Sequence, residues 1–339
     1  MSRRLRAVDL FAGCGGLSLG LERAGFDVVA AIDSDELASE TYKKNHPNAF
    51  FVHGDITKVS ASKLMRKLGL RKGELALLAG CPPCQGFSTI RTLNGQRRLR
   101  EPMNDLVFQF LRFVRVMRPQ AIMMENVPGL AKNDRLTKFC KVLSGLGYYW
   151  EYKVLDAANY GVAQRRKRMI LLASRYKQPT FASQSSVRKT VRNVISTLAK
   201  AGASGDALHD HPAKRSPHVE ILIRRIPLNG GSRSALPRRD QLPCHRRSNG
   251  FKDIYGRMAW DAPAPTITGG CVNPSKGRYL HPRHHRAITL REAALLQGFP
   301  RRYYFSLKNG VYPAAQMIGN AFPPAFATRH ARKLAALIK

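Results

Sequence analysis

The sequence predicts a doubly wound α/β domain joined to a second, smaller and irregular domain, and three observations lead there. Short apolar runs alternate with amphipathic stretches through the first half of the 339 residues. Near Arg175 the character changes: from Tyr176 to Arg286 there are 20 Lys+Arg against 6 Asp+Glu, with many Pro, Gly, Ser and His. Helical patterning then returns at residues 289–297 (TLREAALLQ) and 325–338. Together these place one domain over residues 1–178 and 289–339, with the small domain over 179–285.

Taken in order, residues 5–11 read as a buried strand and 17–24 as a helix entered through a glycine turn. Residues 28–32 are a second strand and 36–45 a second helix. Further strands are expected at 50–52, 75–79 and 121–125, with the helix LVFQFLRFVRVM at 106–117 between the last two. A helix at 136–146 and strands near 152–155 and 168–173 complete the pattern. Such alternation implies a mostly parallel sheet covered on both faces, with ligands outside the carboxyl ends of its strands.

Charge narrows the partner. With 57 Lys+Arg against 22 Asp+Glu the formal net charge is +35, a surface that favours a polyanion and releases counterions on binding one. The 44% apolar content is that of a globular chain, not a disordered one. No apolar run is long enough for a membrane span, and none near the start is followed by a small-residue cleavage site. Six cysteines scattered along so long a chain do not form a secreted disulfide framework, so a reduced intracellular protein is expected.

Four constellations carry chemistry. Phe11-Ala12-Gly13-Cys14-Gly15-Gly16 sits where the first strand meets the first helix, and its glycines let the backbone approach a ligand closely. The next two strands end in Asp33 and in Gly54-Asp55-Ile56. Carboxylates at such tips can accept hydrogen bonds from ribose hydroxyls, so the three tips describe an adenosine-type cofactor site. Second, Cys81-Pro82-Pro83-Cys84 follows the strand at 75–79. A zinc site would need a second ligand pair, and a redox CxxC would open a helix directly; a nucleophilic thiolate on a proline-braced turn remains. Third, Glu125 leaves a buried strand within Met124-Glu125-Asn126-Val127-Pro128-Gly129 and requires partners. Fourth, Gln164-Arg165-Arg166-Lys167-Arg168 could supply them.

The order of DLFAGCGG, GCPPCQGFS, MENVPG, QRRKR, APTIT (264–268) and QMIGNAFPP (316–324) resembles that of the DNA (cytosine-5)-methyltransferase family of prokaryotic or phage type. The likeness covers nearly the whole chain except about eighty residues between Tyr176 and Met258. It implies a Rossmann-like methyltransferase domain with a target-recognition domain. The cofactor would be S-adenosylmethionine, released as S-adenosylhomocysteine, with no metal. By the same resemblance Cys84 is the nucleophile, Glu125 the acid on the cytosine ring, and Arg166 and Arg168 the active-site arginines. Phe11, Gly13, Cys14, Gly16, Asp33, Asp55, Ile56, Pro83, Leu106 and Asn320 would contact the cofactor. Gln85, Ser88, Arg91 and Arg97 in the catalytic loop, and Arg233, Arg238 and Arg239 in the variable stretch, are the expected DNA contacts. Double-stranded DNA is the expected partner of a cytoplasmic, nucleoid-associated monomer, with a cognate restriction endonuclease as a second one.

Two features of the sequence bear on these expectations. A tRNA-methylating branch shares the motifs but usually bears a Cys-Phe-Thr tripeptide, which this chain lacks. Family members often carry an aromatic residue just after the acidic tip of the second strand; here that residue is Ser34, leaving Phe11 to do most of the stacking on adenine.

Overall fold

The first strand, buried on both faces, already shows the layering: Val8 and Leu10 enter the main apolar core, whereas Asp9 faces helix Gly16–Arg23 and accepts a hydrogen bond from Ser18 (2.7 Å). The computed structural model describes residues 4–83, 105–211, 215–242, 246 and 253–338. It divides into two compact units, residues 1–160, 167–184 and 322–339 in the first, and 161–166 with 185–321 in the second.

The first unit is built on a seven-stranded sheet: β1 (Leu5–Leu10), β2 (Phe26–Asp33), β3 (Phe50–His53), β4 (Leu77–Gly80), β5 (Ala121–Asn126), β6 (Tyr149–Asp156) and β7 (Lys167–Ser174). Their order is β3-β2-β1-β4-β5-β7-β6. Strands β1 to β5 pair in parallel, and β7 enters antiparallel between β5 and β6. Strand order reverses between β1 and β4, so the turns leaving these two strands emerge side by side. Cys81 N–H donates to the Leu10 carbonyl (3.2 Å), and a Cβ on Gly80 would lie 2.4 Å from that same oxygen. Only glycine permits this approach.

One face of the sheet is covered by helices Ala61–Lys67, Leu106–Met117 and Asp134–Gly145, which bury Leu64, Phe110, Leu111, Phe113, Val114, Phe139 and Leu143 in the main core. Helix Gly16–Arg23 packs against the closing helix Pro324–Ile338, with Gly20 so near that a Cβ there would sit 2.4 Å from Ala327 Cβ. Within that closing helix His330 is buried among Tyr160, Phe181 and Phe326, and its Nδ1 accepts the Ala182 N–H (3.3 Å). Desolvation pushes its pKa down from 6.5 to about 4. A folded pKa below the unfolded one means the neutral form is favoured by folding. That stability is full above about pH 6.5 and is lost as pH falls toward 4, on the order of 3 kcal/mol in all. His330→Phe is expected to flatten the fall in melting temperature across this window; an unchanged difference from wild type between pH 7 and pH 4, to be read by circular dichroism, would remove His330 as its source.

The second unit holds helices Val191–Ile195, Ala207–Asp210, Pro217–Arg225, Leu290–Gln297 and Val311–Asn320. Among its described residues strand pairing is limited to isolated bridges such as Gln164 with Ala264. Arg257 is fully buried and substitutes for a regular scaffold, donating to the carbonyls of Ile223, Ile226, His281 and His284 at 2.7 to 3.1 Å. The partition differs from the expected return of the chain to the first domain at residue 289. Helices Leu290–Gln297 and Val311–Asn320 pack on one another within the second unit, and only the segment from Phe322 rejoins the first. Among the described residues no helix is long and apolar enough to cross a membrane.

Candidate active site

Three strand tips of the first unit converge on Asp33. Its Oδ2 accepts the Gly13 N–H (2.7 Å), its Oδ1 the Asp35 N–H (2.9 Å), and its carbonyl the Gly54 N–H (2.9 Å). The carboxylate thus clasps the glycine turn of β1 to the tip of β2, and the carbonyl of the same residue joins the tip of β3. Burial raises its pKa, opposed by those backbone donors. Phe11 adopts φ +60, a left-handed conformation that costs a non-glycine residue energy and that here turns the chain out of β1. A Cβ built on Gly13 or Gly54 would meet nothing within 4 Å, so space is open above both tips. Asp55 is exposed, and its carboxylate accepts the Thr57 N–H (2.9 Å), which lowers its pKa. Ile56 is buried, and Leu106 and Pro83 are half-buried.

Sequence reasoning did not single out Arg112, yet it pins this region. From within helix Leu106–Met117 it donates to the carbonyls of Ile56 (2.6 Å) and Val59 (2.9 Å), fixing the loop after β3. The available signal was a cation inside a largely apolar helix, a signal that Arg115 shares.

The tip of β5 carries the second cluster. Glu125, 8% exposed, receives Arg168 Nε at 2.8 Å from the neighbouring strand β7. Beside it Asn126 donates through Nδ2 to the Pro82 carbonyl (2.9 Å), tying β5 to the turn after β4. Cys84, Gln85, Ser88, Arg91 and Arg97 lie outside the described residues. Among the described cysteines, Cys14, Cys140 and Cys271 are buried, and desolvation pushes each thiol up to about 12, so none is a thiolate at neutral pH. Cys14 therefore lines the glycine turn as an inert apolar group, beside the buried Gly16.

Arg166 belongs to the second unit, where it is buried and donates through Nη1 to the carbonyls of Ile267 (3.0 Å) and Gly319 (2.9 Å). Gln164 Oε1 accepts the Ile267 N–H (2.8 Å) and its Nε2 donates to Gln297, which in turn donates to the carbonyls of Ile318 (3.0 Å) and Ala321 (2.6 Å). These buried amides hold the 264–268 loop to the end of helix Val311–Asn320, leaving Asn320 exposed at its last position. Gly319 is obligatory there, since a Cβ would lie 2.2 Å from the Thr268 carbonyl carbon. Of the arginines expected on DNA, Arg238 and Arg239 are exposed, whereas Arg233 is 7% exposed within the second unit.

The first unit is thus an α/β fold in which an acid–guanidinium pair, Glu125 with Arg168, stands at the end of a parallel strand beside a proline turn. The chain belongs to the C-5 cytosine-specific DNA methylase family, whose family model matches residues 5–336, and is a DNA (cytosine-5-)-methyltransferase. It is similar to the Type II methylase M.HgiDII of Herpetosiphon aurantiacus, 35% identical over 334 residues that span 94% of this chain and 91% of the relative. The Type II methyltransferase M1.BsuMI of Bacillus subtilis is 32% identical over 345 residues, spanning 94% of this chain and 78% of the relative. A solved structure of a putative DNA modification methyltransferase encoded within a prophage (E. coli) superposes with a TM-score of 0.76 at 23% identity, covering 98% of this chain and 99% of that one. This last likeness shows the fold.

Proposed function

We propose that the chain methylates carbon 5 of a cytosine flipped out of a specific duplex DNA sequence, through a covalent Cys84 adduct at carbon 6, with S-adenosylmethionine as methyl donor. The observation that carries this reading is the β5 tip. It presents the Glu125–Arg168 pair and, through Asn126, grips the turn that leads directly to Cys84. Glu125 and the Pro82–Pro83 turn that precedes Cys84 in the sequence are thereby tied to adjacent strand ends.

The residues at the tips of β1, β2 and β3 fit an adenosine-type cofactor. Open space above Gly13 and Gly54 admits a ligand against the backbone, and each Asp33 oxygen keeps a lone pair beyond the backbone donor it already serves. When bound, S-adenosylmethionine supplies an electrophilic methyl group. The chain's own residues do the rest. Carbon 5 of cytosine is a poor nucleophile until the Cys84 thiolate adds to carbon 6 and makes the ring an enamine. Glu125 holds a proton at ring nitrogen 3 as that bond forms, and Arg168 orients its carboxyl. Arg166 acts through the backbone, holding the 264–268 loop. Carbon 5 of the enamine takes the methyl group, its proton then passes to a base, and the thiolate is expelled as the ring double bond re-forms. The target atom is unreachable inside a stacked duplex, so the base leaves the helix, at a cost of a few kcal/mol.

The test is trapping with duplex DNA containing 5-fluorocytosine, beside an RNA duplex of the same sequence. Fluorine at carbon 5 blocks the final elimination, so an active enzyme forms a persistent adduct. Adduct on DNA alone is expected; adduct on RNA alone, or none, overturns the reading.

The second unit is proposed to choose the sequence, reading at least one G·C pair beside the target. Exposed Arg238 and Arg239 can pair in bidentate fashion with guanine or contact phosphate, while buried Arg233 serves as scaffold. Alanine at a base-reading arginine should relax one position of the methylated motif, by about 1–3 kcal/mol of discrimination, in bisulfite sequencing of a methylated plasmid. At a phosphate contact it should instead weaken binding on all sequences and flatten the salt dependence. If no substitution in the 176–258 stretch alters the motif, while changes within residues 89–104 do, the assignment fails.

A further inference from the structure

We propose that His53 forms one wall of the adenosine pocket, its imidazole lying against the flat face of the base. The inference rests on the reading that the tips of β1, β2 and β3 bind the cofactor, and it deepens that reading. Three observations carry it. His53 is the last residue of β3 and the register partner of Asp33, and partners in adjacent parallel strands project to the same face. Its ring is exposed at the strand tip rather than packed in the core. The ring is nevertheless held: His53 Nε2 lies 3.1 Å from the Ser34 carbonyl.

A carbonyl oxygen only accepts, so Nε2 carries the hydrogen and the tautomer is set by the backbone of β2. The bond at the ring edge holds the imidazole to the backbone of Ser34 while the residue stays exposed. Adenine is planar and polarisable, and a base bound at an open strand tip gains from a ring on which to stack. Phe11 provides such a ring from β1, and Ser34 provides no such surface at β2. The ring of His53 occupies that position from β3. The neighbouring Gly54, open above its Cα, leaves room for the base beside the ring.

The experiment is calorimetric titration of the full-length protein with S-adenosylhomocysteine, which reads binding without turnover, on wild type, His53→Ala, His53→Gln and His53→Phe. Loss of the ring in His53→Ala should weaken binding about tenfold, in the range of base–aromatic stacking. His53→Gln can still donate to the Ser34 carbonyl but has no ring, and should weaken binding equally. His53→Phe keeps a ring without the donor, and should stay within about twofold of wild type. Wild-type affinity in His53→Ala, or loss in His53→Phe with retention in His53→Gln, overturns the proposal and leaves the cofactor site standing. Absence of binding by wild type overturns both. Melting curves in the same buffer check that each variant is folded, which the exposure of His53 favours.

Discussion

Cys84→Ser is expected to bind duplex DNA with wild-type affinity and to methylate none of it, a fall in turnover on the order of a thousandfold or more, whereas Cys81→Ala stays active. The serine hydroxyl is nearly isosteric, so folding and binding survive, but at neutral pH it is not ionised and cannot add to carbon 6. Among the described cysteines the elimination of rivals is physical. Burial holds Cys14, Cys140 and Cys271 as neutral thiols. Cys81 is half-buried and its N–H is bonded back to the Leu10 carbonyl, which keeps it at the strand end. Filter binding and methyl incorporation on the two variants decide the matter. An active Cys84→Ser beside a dead Cys81→Ala would move the nucleophile by three residues.

Much of the first unit was legible because its signals are local. Helices Glu36–Asn45 and Leu106–Met117 have the bounds their patterns predict, since each starts after an aspartate and carries a clear apolar face. Helix Ala61–Lys67 was not legible: seven residues with three cations give too little periodicity. Helix Pro217–Arg225 lay hidden in a basic stretch that reads as irregular, although Pro217 opens it and Leu222 and Ile223 fill its buried side. Helix Val311–Asn320 escaped because Pro313 sits in its first turn and Gly319 near its end. The antiparallel entry of β7 could not be read, since buried strands of either direction are continuous apolar runs.

The site divides in the same way. Asp33 and Glu125 were legible because an acid at the end of an apolar strand is costly without a purpose. Their partners differ in how they could be found. Arg168 was named as a candidate because it stands in a basic run beside its strand. The Asn126 bond to Pro82, the Arg112 clamp and the Gln164–Gln297 pair were not, since each joins residues 44 to 133 positions apart and only tertiary packing brings them together. Arg233 shows the converse: composition put it with the DNA-facing arginines, and packing buries it.

Glu125→Gln should slow methylation by roughly a hundredfold or more while leaving S-adenosylhomocysteine binding and DNA binding nearly unchanged. The amide keeps the shape of the side chain and an oxygen to receive Arg168 Nε, now 2.8 Å from Oε1, so the geometry of the β5 tip persists. What is lost is a group able to hold a proton at ring nitrogen 3 as the thiolate adds, and that loss falls on the transition state. Arg168→Ala differs in kind. It leaves a carboxylate that is 8% exposed without its cation, so a fall in melting temperature should accompany the fall in rate. The pair of variants therefore separates chemistry from support: one slow and stable, the other slow and less stable. A large loss of S-adenosylhomocysteine affinity in Glu125→Gln, measured by calorimetry, would instead assign this carboxyl to the cofactor and leave the cytosine ring without its acid.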